Sequence, residues 1–224
     1  MTSSPKRRGR PRILDDDAIL ESALRVFAVH GYEGMSLRSL NSELGLSHGT
    51  INQRFGTKEQ LYLEAVDHGF TRLLADMRAI VEAEPLPADP LDELRMRLRA
   101  FLVASSRRPH LNRLINNEGV APSAVLDHIF ERYILPAMRA TTRLMRRLAD
   151  DGVIDPVSER TVLFVLANGG AGVYSLPALA AKFDRIDGPL DPEAAADEIA
   201  SMIVEGMRRH PSRVQSRRDN AARA

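Results

Sequence analysis

The chain has no cysteine among its 224 residues, so it can form neither a disulfide nor a cysteine-ligated zinc site. It also has no uninterrupted apolar run of about 18 residues, the length that a membrane-spanning helix requires. The basic N-terminal segment is not followed by the apolar stretch of a secretory signal. These absences predict a cytoplasmic protein that does not use a membrane as a partner.

Catalytic motifs are missing as well. The sequence contains no HExxH motif and no nucleophile elbow, and its many carboxylates stand at predicted helix starts, where capping explains them. The glycine-rich run Asn168–Gly172 lacks both the preceding strand and the GKS/T ending of a phosphate-binding loop. We therefore expect no catalytic residue, no metal site and no cofactor, and we do not expect an enzyme.

Charge is unevenly distributed, although the net charge is only +1. Residues 1–14 contain five basic residues and no acid, and residues 208–224 carry a net charge of +5, which leaves −9 for the residues between them. Basic ends on an acidic body are typical of local contact with phosphate groups. We predict a flexible basic arm at 1–14 and a disordered basic tail at 211–224. For the tail, plain solvation explains the charge equally well.

Apolar residues recur at spacings of three and four along most of the chain, and no stretch alternates with a period of two. Asp-Pro pairs that begin at positions 89, 155 and 191 offer a capping acid followed by proline at the first helical position. Pro136 and Pro177 fall inside long helical patterns and are expected to kink them. The pattern predicts an all-α fold with helices at roughly 15–30, 36–43, 47–53, 57–82, 90–107, 109–118, 122–150, 156–181 and 191–209.

Two short amphipathic helices stand close together near the N-terminus. The first ends at Leu44, Gly45 supplies the positive φ of a tight turn, and Ser47 is placed to cap a second helix that ends at Phe55. Such a pair predicts a helix-turn-helix, whose second helix fits the major groove of DNA. An ordinary corner between two helices of a helical protein has the same pattern.

The wider pattern across residues 15–70 resembles the TetR family of bacterial transcription regulators. The matching elements are Phe27–Tyr32, Met35–Leu40, Leu44–Ser47, Gly49–Ile51, Phe55, Lys58, Leu61 and Tyr62. The resemblance implies an N-terminal three-helix helix-turn-helix head at 15–60, joined to a larger helical ligand-binding and dimerisation body at 61–210.

Four residues of the head depart from the family pattern. Asn52 replaces an aromatic residue and Arg54 replaces histidine or tyrosine, while Asn41 stands for alanine and Met35 for threonine. Asparagine can pair with adenine through two hydrogen bonds, and arginine binds guanine or phosphate. The target sequence on DNA is therefore expected to differ from that of family members with the aromatic pair.

The resemblance also implies which residues contact DNA. Ile51 and Phe55 are expected to face the core of the head, whereas Asn52 and Gln53 face the base edges of the groove. The arginines of the arm are expected to enter an adjacent minor groove. The expected DNA contacts are Arg8, Arg10, Arg12, Ser36, Arg38, Ser47, His48, Gly49, Thr50, Asn52, Gln53, Arg54 and Lys58.

The body is similar to the ligand-binding domains of the family, with apolar residues that would line a cavity and polar ones that would orient a ligand. Plain core packing is the alternative for each apolar residue, and a structural hydrogen bond is the alternative for each histidine. The expected lining is Phe101, His110, Ile115, Asn116, His128, Phe130, Tyr133, Met138, Phe164, Asn168 and Tyr174. The last two helices are expected to form a homodimer, with Gly169–Gly172 at a close helix crossing.

These observations predict a homodimeric, ligand-responsive regulator, most simply a repressor that a small apolar molecule releases from a palindromic operator. Its partners would be double-stranded DNA and a small-molecule effector. The alternative is a helical small-molecule-binding protein with a weakened DNA-binding head. Asn41, Asn52 and the excess of seven acids over four bases in residues 15–60 favour that alternative. A helical enzyme is a third interpretation, which the missing catalytic motifs oppose.

Deletion of residues 1–12 removes all five basic residues of the arm, so DNA binding is expected to weaken for every sequence. The slope of log K against log salt concentration is also expected to flatten, because fewer counterions are released on binding. Fluorescence anisotropy at several salt concentrations measures both effects. An unchanged slope would show that the arm does not touch phosphate.

Overall fold

A computed structural model describes residues 14–209, and all regular structure in that range is helical apart from one isolated β-bridge. The predicted all-α class is confirmed. The predicted basic arm and tail, with Arg8, Arg10 and Arg12, lie outside the described residues. The helices are α1 Asp16–Gly34, α2 Leu37–Glu43, α3 Thr50–Phe55, α4 Lys58–Glu82, α5 Pro90–Ser106, α6 Pro109–Glu118, α7 Ala124–Ile129, α8 Leu135–Asp150, α9 Glu159–Phe164, α10 Gly172–Ser175, α11 Pro177–Ala180, α12 Asp184–Asp187 and α13 Pro192–Met207.

Side-chain caps set most of the helix starts. Asp15 accepts from the backbone N–H of Ala18 at 2.8 Å, and Thr57 exchanges hydrogen bonds with Gln60 in a capping box at the start of α4. Asp89 and Asp191 cap α5 and α13, each followed by proline in the first helical turn. These four starts confirm the positions that the sequence indicates.

The Asp-Pro pair at Asp155 does not begin a helix, contrary to the prediction. Its backbone N–H instead donates to the carbonyl of Met207 at 2.8 Å, beside a short antiparallel bridge between Ile154 and Arg208. This pairing holds the backbone extended, and Ser158 caps α9 three residues later. A contact between residues so far apart in the chain leaves no local signal in the sequence.

The predicted single helix over 156–181 is also wrong. After α9 the chain forms a π-helical segment, Val165–Gly170, in which the N–H of Ala171 bonds to the carbonyl of Leu166 at 2.9 Å. α10 ends at Ser175 because the residue before a proline disfavours helical dihedral angles, and Leu176 accordingly has φ −119° and ψ 56°. Pro177 therefore begins a new short helix instead of kinking an old one. The predicted loop at 182–191 contains one further short helix, α12.

Pro136 does not break the helical path from Ala124 to Asp150. A second π-helical segment, Phe130–Ile134, precedes it, and the N–H of Leu135 bonds to the carbonyl of Phe130, five residues earlier. The wider turn leaves room for a residue without a backbone donor, and the dihedral angles around it stay helical. The chain thus forms a π-bulge before Pro136 in place of the expected kink.

Two apolar cores hold the described residues together. The first joins the head to α6 and to the first half of α4, and the second lies among α5, α8, α9 and α13. Helix α1 packs against both α4 and α6, so the first core continues without interruption across position 60. The division into a head at 15–60 and a body at 61–210 remains our proposal for the chain. Among the described residues, no helix is long and apolar enough to cross a membrane.

Gly170 lies buried inside the body. A Cβ atom there would come within 2.9 Å of Leu102 and 3.0 Å of Ile199, which belong to α5 and α13 of the same chain. The close crossing predicted for Gly169–Gly172 is therefore an intramolecular one at Gly170. Gly169 and Gly172 have open space around them.

The tightest helix approach in the first core lies at Gly69 of α4. A Cβ atom there would sit 2.5 Å from a methyl group of Leu24 and 2.8 Å from one of Leu111. Gly69→Ala is expected to lower the free energy of unfolding by about 1–3 kcal/mol, because the overpacked core must shift. Urea denaturation measures the loss, and Gly169→Ala, which meets nothing within 4 Å, is the control. Equal stability of the two variants would contradict this packing.

Candidate nucleic-acid interface and internal cavity

The turn between α2 and α3 is built by two glycines with positive φ. Gly45 has φ 64°, and the N–H of the next residue, Leu46, donates to the carbonyl of Asn41 at 2.9 Å. Gly49 has φ 87° and is the N-cap of α3. These are left-handed conformations that a side chain would strain, so the backbone of the turn depends on glycine at both positions.

The prediction that Ser47 caps the second helix is wrong. α3 begins only at Thr50, because a residue with the φ of Gly49 cannot lie inside a right-handed helix. The hydroxyl of Ser47 instead hydrogen-bonds to the hydroxyl of Thr50 at 2.6 Å. The helix predicted at 47–53 is thus shifted to Thr50–Phe55, with the single turn Ser47–Thr50 before it.

Asn41 is a central residue of this unit that the sequence interpretation missed. It is only 5% exposed, its side-chain amide donates to the carbonyl of Leu37 at 2.9 Å, and its oxygen accepts from the N–H of Ile51 at 3.3 Å. The side chain therefore binds α2 to the start of α3. Its buried place on an amphipathic helix was the available signal, since a buried amide requires hydrogen-bond partners. Asn41 therefore does not support the alternative of a weakened DNA-binding head.

The two faces of α3 differ as expected. Ile51 and Phe55 are buried against the head core with Leu40, which confirms their predicted orientation. The residues of the head that are expected to contact DNA lie at its surface. Gly49, Thr50 and Lys58 among them are half-buried. Exposed are Ser36, Arg38, Ser47, His48, Asn52, Gln53 and Arg54.

Arg54 and Lys58 are held in place by α1 and the residues before it. One guanidinium nitrogen of Arg54 donates to the carbonyl of Leu14 at 2.6 Å, and another pairs with the carboxylate of Asp16. The ammonium of Lys58 lies 4.3 Å from the centre of the Tyr32 ring. Both cations therefore sit at the edge of the head with a fixed position, and Asp16 competes for Arg54 with any phosphate.

The body contains a cavity of about 360 Å³ and, beside it, a smaller one of about 100 Å³ that shares several of its lining residues. Eight of the eleven residues predicted for a pocket line one or both of them. The larger cavity, which we call the large lobe, includes Phe101, Ile115, Asn116, Phe130, Phe164 and Asn168. The smaller cavity, the small lobe, includes Phe101, Tyr133 and Met138.

Three predicted pocket residues lie elsewhere because they bind other groups of the protein. Nε2 of His128 lies 2.6 Å from Oδ1 of Asp67, and His110 contacts an acid of α1. The hydroxyl of Tyr174 donates to the carbonyl of Pro192 at 2.9 Å, and burial raises the pKa of Tyr174 to about 12. For His128 the structural hydrogen bond is thus the observed alternative, whereas His110 contacts Glu21 without an aligned hydrogen bond.

Helix α6 is tied to α1 and α4 by contacts at its two ends. Near its start, Nε2 of His110 lies 3.1 Å from Oε1 of Glu21, in the geometry of an ion pair and not of an aligned hydrogen bond. This contact lowers the pKa of the Glu21 carboxyl, in spite of its partial burial. Near the end of α6, the hydroxyl of Tyr62 donates to Glu118 at 2.5 Å. Burial and this hydrogen bond raise the pKa of Tyr62 well above its usual value.

An apolar surface is exposed on the C-terminal part of the body. It includes large side chains of the segment 164–190 together with Met202 of α13, which is 67% exposed. Large apolar side chains exposed in one stretch of the chain are candidates for an interaction site. Its members are Phe164, Val165, Leu176, Leu179, Phe183, Ile186, Leu190 and Met202.

Comparison with known proteins identifies the family. Residues 19–65 match the family model described as "Bacterial regulatory proteins, tetR family". Residues 87–208, more than half of the chain, match the C-terminal domain of the HTH-type transcriptional dual regulator CecR. The chain belongs to the TetR family. This family comprises transcriptional regulators.

The curated relatives of this TetR-family chain include repressors. It is 32% identical over 133 residues to the transcriptional repressor AcnR of Corynebacterium diphtheriae, a match that covers 54% of the chain and 66% of the relative. It is 38% identical over 74 residues to the repressor ComR of Escherichia coli, which covers 33% of the chain and 35% of ComR. The chain therefore spans less than two thirds of these relatives.

Solved structures share the fold over almost the whole chain. A putative fatty acid metabolism regulator of Clostridium perfringens has a TM-score of 0.65 at 19% identity, with 86% of this chain and all of that one covered. The ketosteroid regulator KstR2 of Mycobacterium tuberculosis has a TM-score of 0.61 at 18% identity, with 91% of this chain and all of that one covered. At this level of identity, the likeness concerns the fold.

Asn41→Ala is expected to lower the free energy of unfolding by about 1–2 kcal/mol, because the N–H of Ile51 loses its acceptor. DNA affinity should fall as well, since α3 loses a contact that positions it. Asn52→Ala, at an exposed position of α3, should stay within about 0.5 kcal/mol of the wild type in stability. Urea denaturation followed by circular dichroism compares them, and equal stability of the two variants would remove Asn41 from this role.

Proposed function

We propose that the protein is a ligand-responsive, DNA-binding transcriptional repressor that acts as a homodimer. The observation that carries the proposal is the head itself. Its helix-turn-helix buries Ile51 and Phe55 and exposes polar side chains on its outer face. Membership of the TetR family and the repressor names of two relatives support it. A regulator of this kind works in the cytoplasm, where bacterial DNA lies.

In the proposed complex, α3 enters the major groove. Asn52 and Gln53, both exposed on α3, would read base edges through their amides. Gly49 would let the backbone approach the DNA. Phosphates would be bound by polar side chains around the groove and by the arm at 1–14. His48 would lie toward the groove, and the phosphate contacts proposed are Ser36, Arg38, Ser47, Thr50, Arg54 and Lys58.

A homodimer would place two heads on one operator. The exposed apolar surface of 164–190 and Met202 supports this assembly, because burying it against a second copy removes it from water. Two-fold symmetry then requires half-sites related by a dyad and separated by about 34–36 Å or a multiple.

Release from DNA would follow from a ligand in the cavity. Helix α6 lines the large lobe through Ile115 and Asn116 and is tied to α1 and α4 by His110 and Glu118. A ligand that prefers a shifted α6 would therefore favour a different position of the head. Such a population shift requires different ligand affinities in the two states.

A helical small-molecule-binding protein with a weakened head is the second candidate. The observation that favours it is the pairing of Arg54 with Asp16, which occupies a cation of the DNA-facing edge. Under either candidate we propose no enzymatic activity. Selection of DNA fragments by the purified full-length protein from a random pool decides between the two. Enrichment of a palindromic sequence supports the repressor, and a pool without enrichment supports the alternative.

On the selected DNA, Asn52→Ala or Gln53→Ala is expected to cost about 1–3 kcal/mol of binding free energy if the amide pairs with a base edge. Binding to random DNA should change little, since bulk affinity comes from phosphate contacts. Anisotropy titrations with both duplexes measure the difference. Equal losses on both would reassign the residue to the DNA backbone.

A further inference from the structure

The two lobes of the cavity differ in chemistry. They share walls formed by Phe70, Phe101 and Leu163. The small lobe is lined almost wholly by apolar atoms, with Met77 and Met138 among them. Because methionine side chains are flexible, they adapt to an unbranched or irregular apolar group. This lobe therefore suits the aliphatic end of a ligand.

The large lobe carries more of the polar groups, although Arg97, Thr141 and Thr142 line the small lobe. Arg108 lies in its wall, and one nitrogen of its guanidinium pairs with Asp76 of α4 at 2.8 Å. The Nε–H of the same guanidinium is buried and has no acceptor among residues 14–209. A buried donor without a partner costs about 1–3 kcal/mol of stability. A ligand that brings an acceptor to this N–H would remove that cost.

Charge excludes one class of ligand. No aspartate or glutamate lines either lobe within the described part of the chain, whereas Arg108 and Arg97 do. The guanidinium of Arg97 is already bound by Glu93 at 2.8 Å. A cation would meet these guanidinium groups, because their carboxylate partners, Asp76 and Glu93, do not line either lobe. An anion or a carbonyl oxygen would meet donors, including the amides of Asn116 and Asn168 at the exposed side of the large lobe.

We propose that the cavity binds an amphipathic molecule whose aliphatic tail fills the small lobe and whose oxygen-acceptor head group, a carboxylate or a carbonyl, binds Arg108. The ligand class stands on the geometry of the cavity. Its effect on DNA rests on the proposed function. Because the Arg108–Asp76 ion pair joins the start of α6 to α4, a head group that draws Arg108 away loosens that tie.

The test uses calorimetry on the full-length protein without DNA, with sodium decanoate, methyl decanoate and decyltrimethylammonium as probes. The two neutral or anionic probes are expected to bind, and the cation is not. If the carboxylate is the preferred head group, decanoate binds more tightly than its methyl ester, and the reverse order identifies the carbonyl. Binding of the cation as tightly as decanoate, or of no probe at all, would overturn the proposal. This comparison needs no variant.

Variants locate the head group. Arg108→Gln is expected to lower decanoate affinity about ten- to hundredfold, as loss of a charged hydrogen bond does. Arg107→Gln, at an exposed neighbouring position, is the matched control and should change nothing. Asp76→Asn removes the competing carboxylate and is expected to strengthen decanoate binding severalfold. Weaker binding in both Arg108→Gln and Asp76→Asn would mean that the ion pair only maintains the fold, and the proposal would fail.

A further variant locates the tail. Ala137 lines the small lobe, so Ala137→Leu fills it and is expected to weaken decanoate binding more than hexanoate binding. Equal losses for both acids would place the tail elsewhere and overturn that part of the assignment. A protein that binds decanoate but enriches no DNA keeps this inference and loses the proposed function. A protein that enriches DNA but binds no probe keeps the proposed DNA-binding function and loses this inference.

Discussion

Helix α1 packs on α4 and α6 together, and the position of the head depends on this contact. The side chains involved, such as Leu24, Phe27 and Leu111, belong to one apolar core that runs from the helix-turn-helix into the body. Gly69 permits α4 to approach both neighbours closely. Because interiors are close-packed, a displacement of one of these helices is transmitted to the others.

Helix α6 lies between the helices α1 and α4 and the large lobe of the cavity. One side contacts α1 and α4 through His110, Asn117 and Glu118, and Asn117 donates to the carbonyl of Ala28 at 3.4 Å. Another side lines the large lobe through Ile115 and Asn116. The same short helix is therefore in reach of a ligand in the cavity and of the helix that carries the head. Among residues 14–209, the second core, around α5 and α13, contains no residue of the head.

Local chemistry made much of this fold predictable. Capping residues such as Thr57 and Asp89 and the three-to-four periodicity of apolar residues placed most helices, including α4 and α5, close to their observed bounds. The buried positions of Ile51 and Phe55 followed from the same periodicity. These features depend on interactions within one or two turns of helix.

The errors concern interactions between residues distant in the chain. The bridge at Ile154 and Arg208 displaced a helix start, and the pairing of Arg54 with Leu14 and Asp16 could not be inferred from spacing. The π-helical segments replace expected helix with a wider turn, for which no simple sequence signal exists. In the cavity, Phe101, Phe130, Tyr133 and Phe164 were predicted, but Phe70 was missed. The partners that hold His110, His128 and Tyr174 elsewhere could not be inferred from the sequence.

Hydrogen exchange on the protein with and without its selected DNA tests the coupling between head and body most directly. If α1, α4 and α6 move as one packed unit, DNA bound at the head slows exchange of the amides at 109–118, although α6 does not touch DNA. Amides of α13, which belong to the second core, should change much less. Unchanged exchange in α6, or equal slowing in α6 and α13, would contradict a link through this helix.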